Sequence, residues 1–343
     1  MAASDANSPC LVTGGTGLVG NNVVRALLDQ GRTVRVLVRG SGPAAARAFA
    51  GLAVEQVVGD LDNPAALERA AAGTVAVIHS AALVHCGWWH ADEMRRVNVD
   101  GTRNVARAAK RAGVRFVHVS SVDALGLRAD GIPADEETPA GGMPEIPYVV
   151  TKRAAEAAVL DEVAGGLDAV IVNPVYMLGP WDWKPSSGRM MIEVVVKGKG
   201  LFAPPGSNDF VDVRDVANGI VAALDRGRTG RRYILGGHAL SYFDAWSVFS
   251  RVAGTRPPRG SVPGALVRLA GRFGDLVGIL ARGERPLNSA ATAVSLLAHN
   301  FSSRRAQEEL AYRYRPFEET VRDAWNWFVE HGYAGAGRGP VAR

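Results

Sequence analysis

The chain has 343 residues, 47% hydrophobic and 21% charged, with a net charge of +5. That length suits one large core with a smaller lobe, and the scattered arginine excess, with no basic run interleaved with aromatics, argues against a nucleic-acid partner. The two cysteines, Cys10 and Cys86, lack metal-ligand spacing, so no metal is expected. No apolar stretch is long enough to span a bilayer and the first ten residues carry no leader pattern, so a cytoplasmic protein is expected.

In chain order, the first buried strand is predicted at 10–13 (CLVT), and TGGTGLVG (13–20) carries it into a helix over 17–30. The glycines read either as Gly15, Gly17, Gly20 or as Gly14, Gly17, Gly20. In both readings they let the backbone turn sharply toward a pyrophosphate at a helix N-terminus. Gly31 follows as a C-terminal stop. The second strand, 33–38, ends at Arg39 with no acid nearby. An acid there would bond an NAD ribose, whereas a guanidinium pairs with a 2′-phosphate, so NADP is favoured over NAD. Strands at 54–58, 75–79, 114–119 and 168–173 alternate with helices at 64–72, 92–111 and 148–165, with Pro64 in the first turn of one and Gly113 closing another. This alternation predicts an α/β fold: a Rossmann-type doubly wound parallel sheet with a smaller C-terminal substrate lobe.

The last of these helices opens with YVVTK, which sets Tyr148 and Lys152 one turn apart on one face. A free tyrosine has a pKa near 10, and a neighbouring ammonium favours the phenolate. Beyond 173 the pattern changes. Two loops are predicted, 179–188 (GPWDWKPSSG) and 203–210, then a helix at 213–225 and a strand at 231–237 returning to the sheet. A capping box from Ser241 to Asp244 opens a helix at 242–253, and further helices are predicted at 262–281 and 316–331. The domain expectation is 8–173 with 211–237 for the dinucleotide unit, 174–210 with 238–332 for the lobe, and a disordered tail at 333–343.

Segment 262–281 is amphipathic. Leu266, Leu269, Ala270, Phe273, Leu276, Val277 and Leu280 share one face, Arg268, Arg272 and Asp275 another, and Gly271, Gly274 and Gly278 a third strip. It is read first as a fixed helix of the lobe, second as a lid closing on an apolar substrate, and last as a membrane-surface element. His79, His85, His90 and His118 have no ligand spacing and are read as structural; Trp88 and Trp89 are read as either packing or pocket-lining.

Seven motifs in order, TGGTGLVG, GDL (59–61), HSAA (79–82), NVDGTRNV (98–105), SSVDALG (120–126), YVVTK and NPVYMLGP (173–180), resemble the extended short-chain dehydrogenase/reductases. Within them the chain is most similar to the dihydroflavonol-reductase-like and hopanoid-associated epimerase-like branch. The resemblance implies a dinucleotide turn at Gly14, Gly17 and Gly20 lined by Thr16, Leu18 and Val19. It further implies Arg39 at the 2′-phosphate, Asp60 and Leu61 at adenine, Ala81 and Ala82 beside the nicotinamide ribose, and Pro174 near its amide. Ser121, Tyr148 and Lys152 are implied as the catalytic triad, with Lys152 lowering the Tyr148 pKa and holding the ribose.

The implied activity is reversible reduction of a carbonyl on a small apolar or mixed substrate. Alternatives are a sugar-nucleotide epimerase or dehydratase retaining NAD, a 3β-hydroxysteroid-dehydrogenase-like enzyme, and a nucleotide-sensing protein without catalysis. Asp123 stands where sugar dehydratases carry an acid, but Val122 replaces the second acid, so Asp123 is read as substrate-facing at most. The expected partner is a small molecule, with a homodimer left open.

Overall fold

The computed structural model describes residues 8–334. β1 (Cys10–Thr13) leads into α1 (Leu18–Asp29), then β2 (Val34–Val38), α2 (Pro43–Ala48), β3 (Val54–Val58), α3 (Pro64–Ala71) and β4 (Ala76–His79). α4 (Ala91–Met94) passes through a π-helical stretch, Arg95–Gly101, into α5 (Thr102–Ala112) and β5 (Arg115–Val119). After a 3₁₀ turn at Val122–Ala124 come α6 (Pro147–Ala164), β6 (Ala169–Pro174), β7 (Tyr176–Leu178), α7 (Gly188–Val195), β8 (Ser207–Asp212), α8 (Val213–Arg226), β9 (Arg232–Leu235) and β10 (His238–Ser241). The chain ends with α9 (Tyr242–Val252), α10 (Gly264–Leu280), α11 (Ser289–Ser295), α12 (Arg304–Leu310) and α13 (Phe317–Glu330).

Seven strands form one parallel sheet in the order β3-β2-β1-β4-β5-β6-β9, flanked by helices, as predicted. The order reverses direction beside β1, and the carboxyl ends of β1 and β4 open a crevice there, where such sheets take ligands. Both faces of the inner strands are covered, so they read as continuous apolar runs: AVIH and AVIVNP are wholly buried. The apolar side chains of β1, β2 and β6 divide between a cluster under α1 and α8 and one under α3 and α5.

A second sheet, β10-β8-β7, lies outside the first. It differs from the loop predicted at 203–210, because its central strand β8 (SNDFVD) buries polar residues that resemble turn signals. Each is satisfied. The Asn208 amide donates to the Tyr242 hydroxyl, the Gly237 N–H donates to Asp209, and Asp212 caps α8 and pairs with Arg214. Trp181 and Trp183, in the loop predicted to face a ligand or a lobe, pack on Trp327 of α13 and on His331 just after it, with Arg25 of α1 over the Trp181 ring, so the loop is wedged between the lobe and the first helix. Residues 333 and 334 of the expected tail are ordered, Tyr333 stacking on Trp327; the remainder, 335–343, lies outside the described residues.

Candidate active site

The glycine turn fits a dinucleotide phosphate. Gly14 has φ +73°, and a Cβ there would stand 2.6 Å from the Ala81 nitrogen; a Cβ on Gly20 would stand 2.3 Å from the Gly14 carbonyl oxygen. Only glycine permits both approaches. Gly15 looks inward at Phe49 and Val36, whereas the close approaches of the turn itself are made at Gly14, Gly17 and Gly20. Thr16 and Gly17 lie exposed on the rim, while Leu18 is buried and Val19 packs on the core, so those two can offer a ligand only backbone. Gly17 begins α1 with no side-chain cap and no acid in the first turn, which leaves N–H groups and the positive dipole end available to an anion.

Arg39 is exposed at the end of β2 and makes no ion pair among the described residues. No acid occurs between Gln30 and Val54. Asp60 is exposed after β3, and its carboxylate accepts the Leu61 N–H at 2.6 Å. Leu61 is half-buried, and its carbonyl accepts from Asn104. Ala81 and Ala82 are half-buried beyond β4, and Pro174 is buried at the end of β6. These positions sit at the carboxyl ends of β2, β3, β4 and β6, along the crevice.

Across it, α6 buries Tyr148 and Lys152 one turn apart. Ser121 is buried close to Tyr148, and its Oγ accepts the Asp123 N–H at 3.2 Å. The neighbouring Ser120 Oγ is buried without a hydrogen-bond partner among the described residues. The Lys152 ammonium donates to the Val119 carbonyl at 3.1 Å, and burial pushes its pKa down to about 8 against the pull of Glu156 and Asp123. The phenol departs from expectation. Burial first and the Asp123 charge second hold it well above its usual value, with the nearby Ser121 hydroxyl opposing them only in part, so Lys152 does not dominate. The protein's own groups therefore keep Tyr148 in its proton-carrying form.

Residues 10–236 match the NAD-dependent epimerase/dehydratase family. The chain belongs to that family. It is 36% identical to a putative dihydroflavonol 4-reductase of Synechocystis over 94% of this chain and 95% of the relative. It is 37% identical to sterol demethylase protein B of Methylococcus capsulatus over 75% and 78%. Among solved structures it is similar to gox2253, with a TM-score of 0.84 and 36% identity over 96% of this chain and 100% of the other. Membership makes it, in general terms, a nicotinamide-dinucleotide-dependent oxidoreductase or epimerase.

Several further residues hold the site together; Asn98, Asn173 and His79 lie in sequence motifs, but Glu156 and His299 carry none. Asn98, in the π-helical stretch, accepts the Leu83 N–H at 2.7 Å and donates to the Leu83 carbonyl at 2.9 Å, clamping the segment after Ala81 and Ala82. Glu156 accepts from Asn173, which also donates to the Ser121 carbonyl, so α6 and β6 fix the serine's backbone. His299 faces Asp123 at 3.8 Å, with its other ring nitrogen on the Ser207 carbonyl. His299 lies far along the chain, and spacing alone could not have found it. His79 sits between Thr13 and Thr102 hydroxyls at 2.7 and 3.0 Å, and burial drives its pKa down to about 3. It is a structural neutral histidine. His85 pairs with Glu284, which ties the loop after β4 to the segment after α10. Among the described residues no cluster suited to a metal ion occurs.

Proposed function

We propose that this chain is an NADP(H)-preferring oxidoreductase that reduces a ketone or aldehyde on an apolar or mixed substrate, or runs the reverse oxidation, through Ser121, Tyr148 and Lys152. The observation that carries the reading is the burial of Tyr148 and Lys152 one helical turn apart on α6, with buried Ser121 at the end of β5 facing the same crevice. Gly14, Gly17 and Gly20 would hold the pyrophosphate, Arg39 a 2′-phosphate, Asp60 and Leu61 the adenine side, and Ala81, Ala82 and Pro174 the nicotinamide end. When bound, the dinucleotide supplies or accepts the hydride.

The protein's own part is proton transfer and orientation. The Ser121 hydroxyl donates to the substrate oxygen and aligns it with the phenol. Tyr148 then gives its proton to that oxygen as negative charge develops, a contribution typically worth about 10²–10⁴-fold. Lys152, fixed by the Val119 carbonyl, places positive charge beside the resulting phenolate and donates to the ribose. The relatives' names support a reductase with an apolar substrate.

A sugar-nucleotide epimerase or dehydratase is the second reading. It is favoured by Asp123, whose carboxyl is raised by burial next to Tyr148 and could carry a second proton. Arg39 opposes it. Mass spectrometry of copurified nucleotide, followed by a carbonyl panel with NADPH and NADH, separates the two. Net NADPH consumption is expected; a tightly retained NAD with no net turnover of added cofactor would overturn the reductase.

A further inference from the structure

α10 is turned inside out relative to an ordinary lobe helix. Its large side chains, Leu266, Leu269, Phe273, Leu276, Ile279 and Leu280, are between 53% and 77% exposed, while Gly271, Gly274 and Gly278 are its buried residues. The glycines make the packing face. A Cβ on Gly271 would stand 2.1 Å from the Thr292 hydroxyl, and one on Gly274 1.8 Å from the Leu287 carbonyl, so α10 sits backbone-close on α11 and the segment before it. By helical phase the leucine and phenylalanine stripe lies opposite this seam. The amphipathic face predicted from sequence exists, but it points to solvent. Exposed Leu287 and Trp88 lie at the end of the same surface, where the Trp88 ring donates to Ser289 and its backbone N–H to Glu284.

The charges around this face are sorted. Arg268 and Arg272 on α10 and Arg282 and Arg285 just after it are all exposed, and none makes an ion pair or side-chain hydrogen bond among the described residues. The two acids of the same segment are turned inward: Asp275 accepts the Ser289 N–H, and Glu284 holds His85 and the Trp88 N–H. An apolar stripe edged by uncompensated arginines complements a surface that is apolar below and anionic above. A second copy is a poor occupant, because an isologous contact would bring the same unpaired arginines toward one another.

We propose that α10 is an interfacial anchor that lays the protein on an anionic lipid bilayer, its leucine and phenylalanine stripe among the acyl chains and its arginines at the headgroups. The helix lies in the surface and does not cross it; no helix among the described residues is long and apolar enough to span a membrane. Anchored this way, the loop after β4 and the 220 Å³ cavity that Trp88 and Trp89 line with α10 sit beside the bilayer. This inference does not depend on which reaction the site performs.

The test is co-sedimentation of the full chain with sucrose-loaded vesicles, either phosphatidylcholine alone or phosphatidylcholine with a one-quarter share of phosphatidylglycerol. Three proteins are compared: wild type, L269D/F273D, and R268E/R272E. All substituted side chains are exposed, and unchanged far-ultraviolet circular dichroism checks their folding. Wild type is expected to partition at least about tenfold more onto the anionic vesicles, an advantage that salt weakens. L269D/F273D should lose binding to both vesicle types, and R268E/R272E only the anionic preference. Absence of vesicle binding by wild type, or binding that neither variant reduces, overturns the proposal. So does a wild-type dimer that L269D/F273D dissociates, found without vesicle binding, since it assigns the face to a second copy.

Discussion

At the scale of single residues the adjacency of Tyr148 and Lys152 was readable because they share a helix, so four-residue spacing brings them to one face whatever the rest of the fold does. Ser121 needed the family resemblance to choose it over Ser120. His299, which faces Asp123, comes from a segment far along the chain and leaves no local pattern. Tyr148→Phe should lower turnover by about 10²–10⁴-fold while leaving cofactor affinity nearly intact, since only the phenolic proton is lost; steady-state kinetics with a fluorescence titration of NADPH checks both halves. Arg39→Ala should weaken NADPH by about 10–150-fold, the equivalent of about 1.5–3 kcal/mol for a charge-assisted contact, and NADH far less. Equal losses for the two cofactors would make Arg39 a bystander. Lys152 offers a stability test. Below about pH 8 the folded protein must hold a buried ammonium, and between about 8 and the ordinary 10.5 the unfolded chain keeps a proton that the folded one releases, so the cost is greatest at neutral pH and fades as pH rises. Lys152→Met should therefore raise the melting temperature at neutral pH and gain less at alkaline pH, while abolishing activity.

At the scale of elements the parallel sheet was legible, and the smaller lobe much less so. Strands buried on both faces announce themselves as apolar runs, and helices between them must cross over the sheet. β8, β10, α2, α7, α11 and α12 are short, so periodicity had too few turns to register. α10 failed differently. Its period was right and its burial inverted, because the sequence cannot say whether a glycine strip or a leucine strip meets the neighbour until that neighbour, here α11, is in place. The turn from β1 into α1 makes a firm prediction. Gly20→Ala drives a methyl into the Gly14 carbonyl, which should cost about 1–3 kcal/mol and abolish dinucleotide binding, as read by thermal melts with and without NADPH.

For the whole molecule the titrating groups oppose one another on the acid side and act together on the alkaline side. His79 and His118, held neutral by burial, lose stability as pH falls below 6.5, while Asp182 and Asp209, raised to about 6 and about 7, lose it as pH rises through the same range. The melting temperature should thus change little across mildly acid pH. Above about 9 the thiols and phenols share one sign: Cys10, Cys86, Tyr148, Tyr176, Tyr233, Tyr242 and Tyr312 all have raised values, so the folded state keeps protons that the unfolded state gives up, and stability falls as pH rises through their ordinary values of 9 to 10. Lys152 alone opposes this trend among the shifted groups of that range. A pH series of thermal melts checks both statements.

The central claim, that this chain moves a hydride between a dissociable nicotinamide cofactor and a substrate carbonyl with Tyr148 as proton donor, is tested most directly by label transfer. NADPH deuterated at nicotinamide C4 would be incubated with the wild type or Tyr148→Phe and with the best ketone from the carbonyl panel. The account predicts one deuterium on the carbinol carbon of the product for each NADPH consumed by wild type, and a rate lower by at least about 10²-fold for Tyr148→Phe. A product without deuterium, label that never leaves the enzyme-bound nucleotide, or an unimpaired Tyr148→Phe would contradict it.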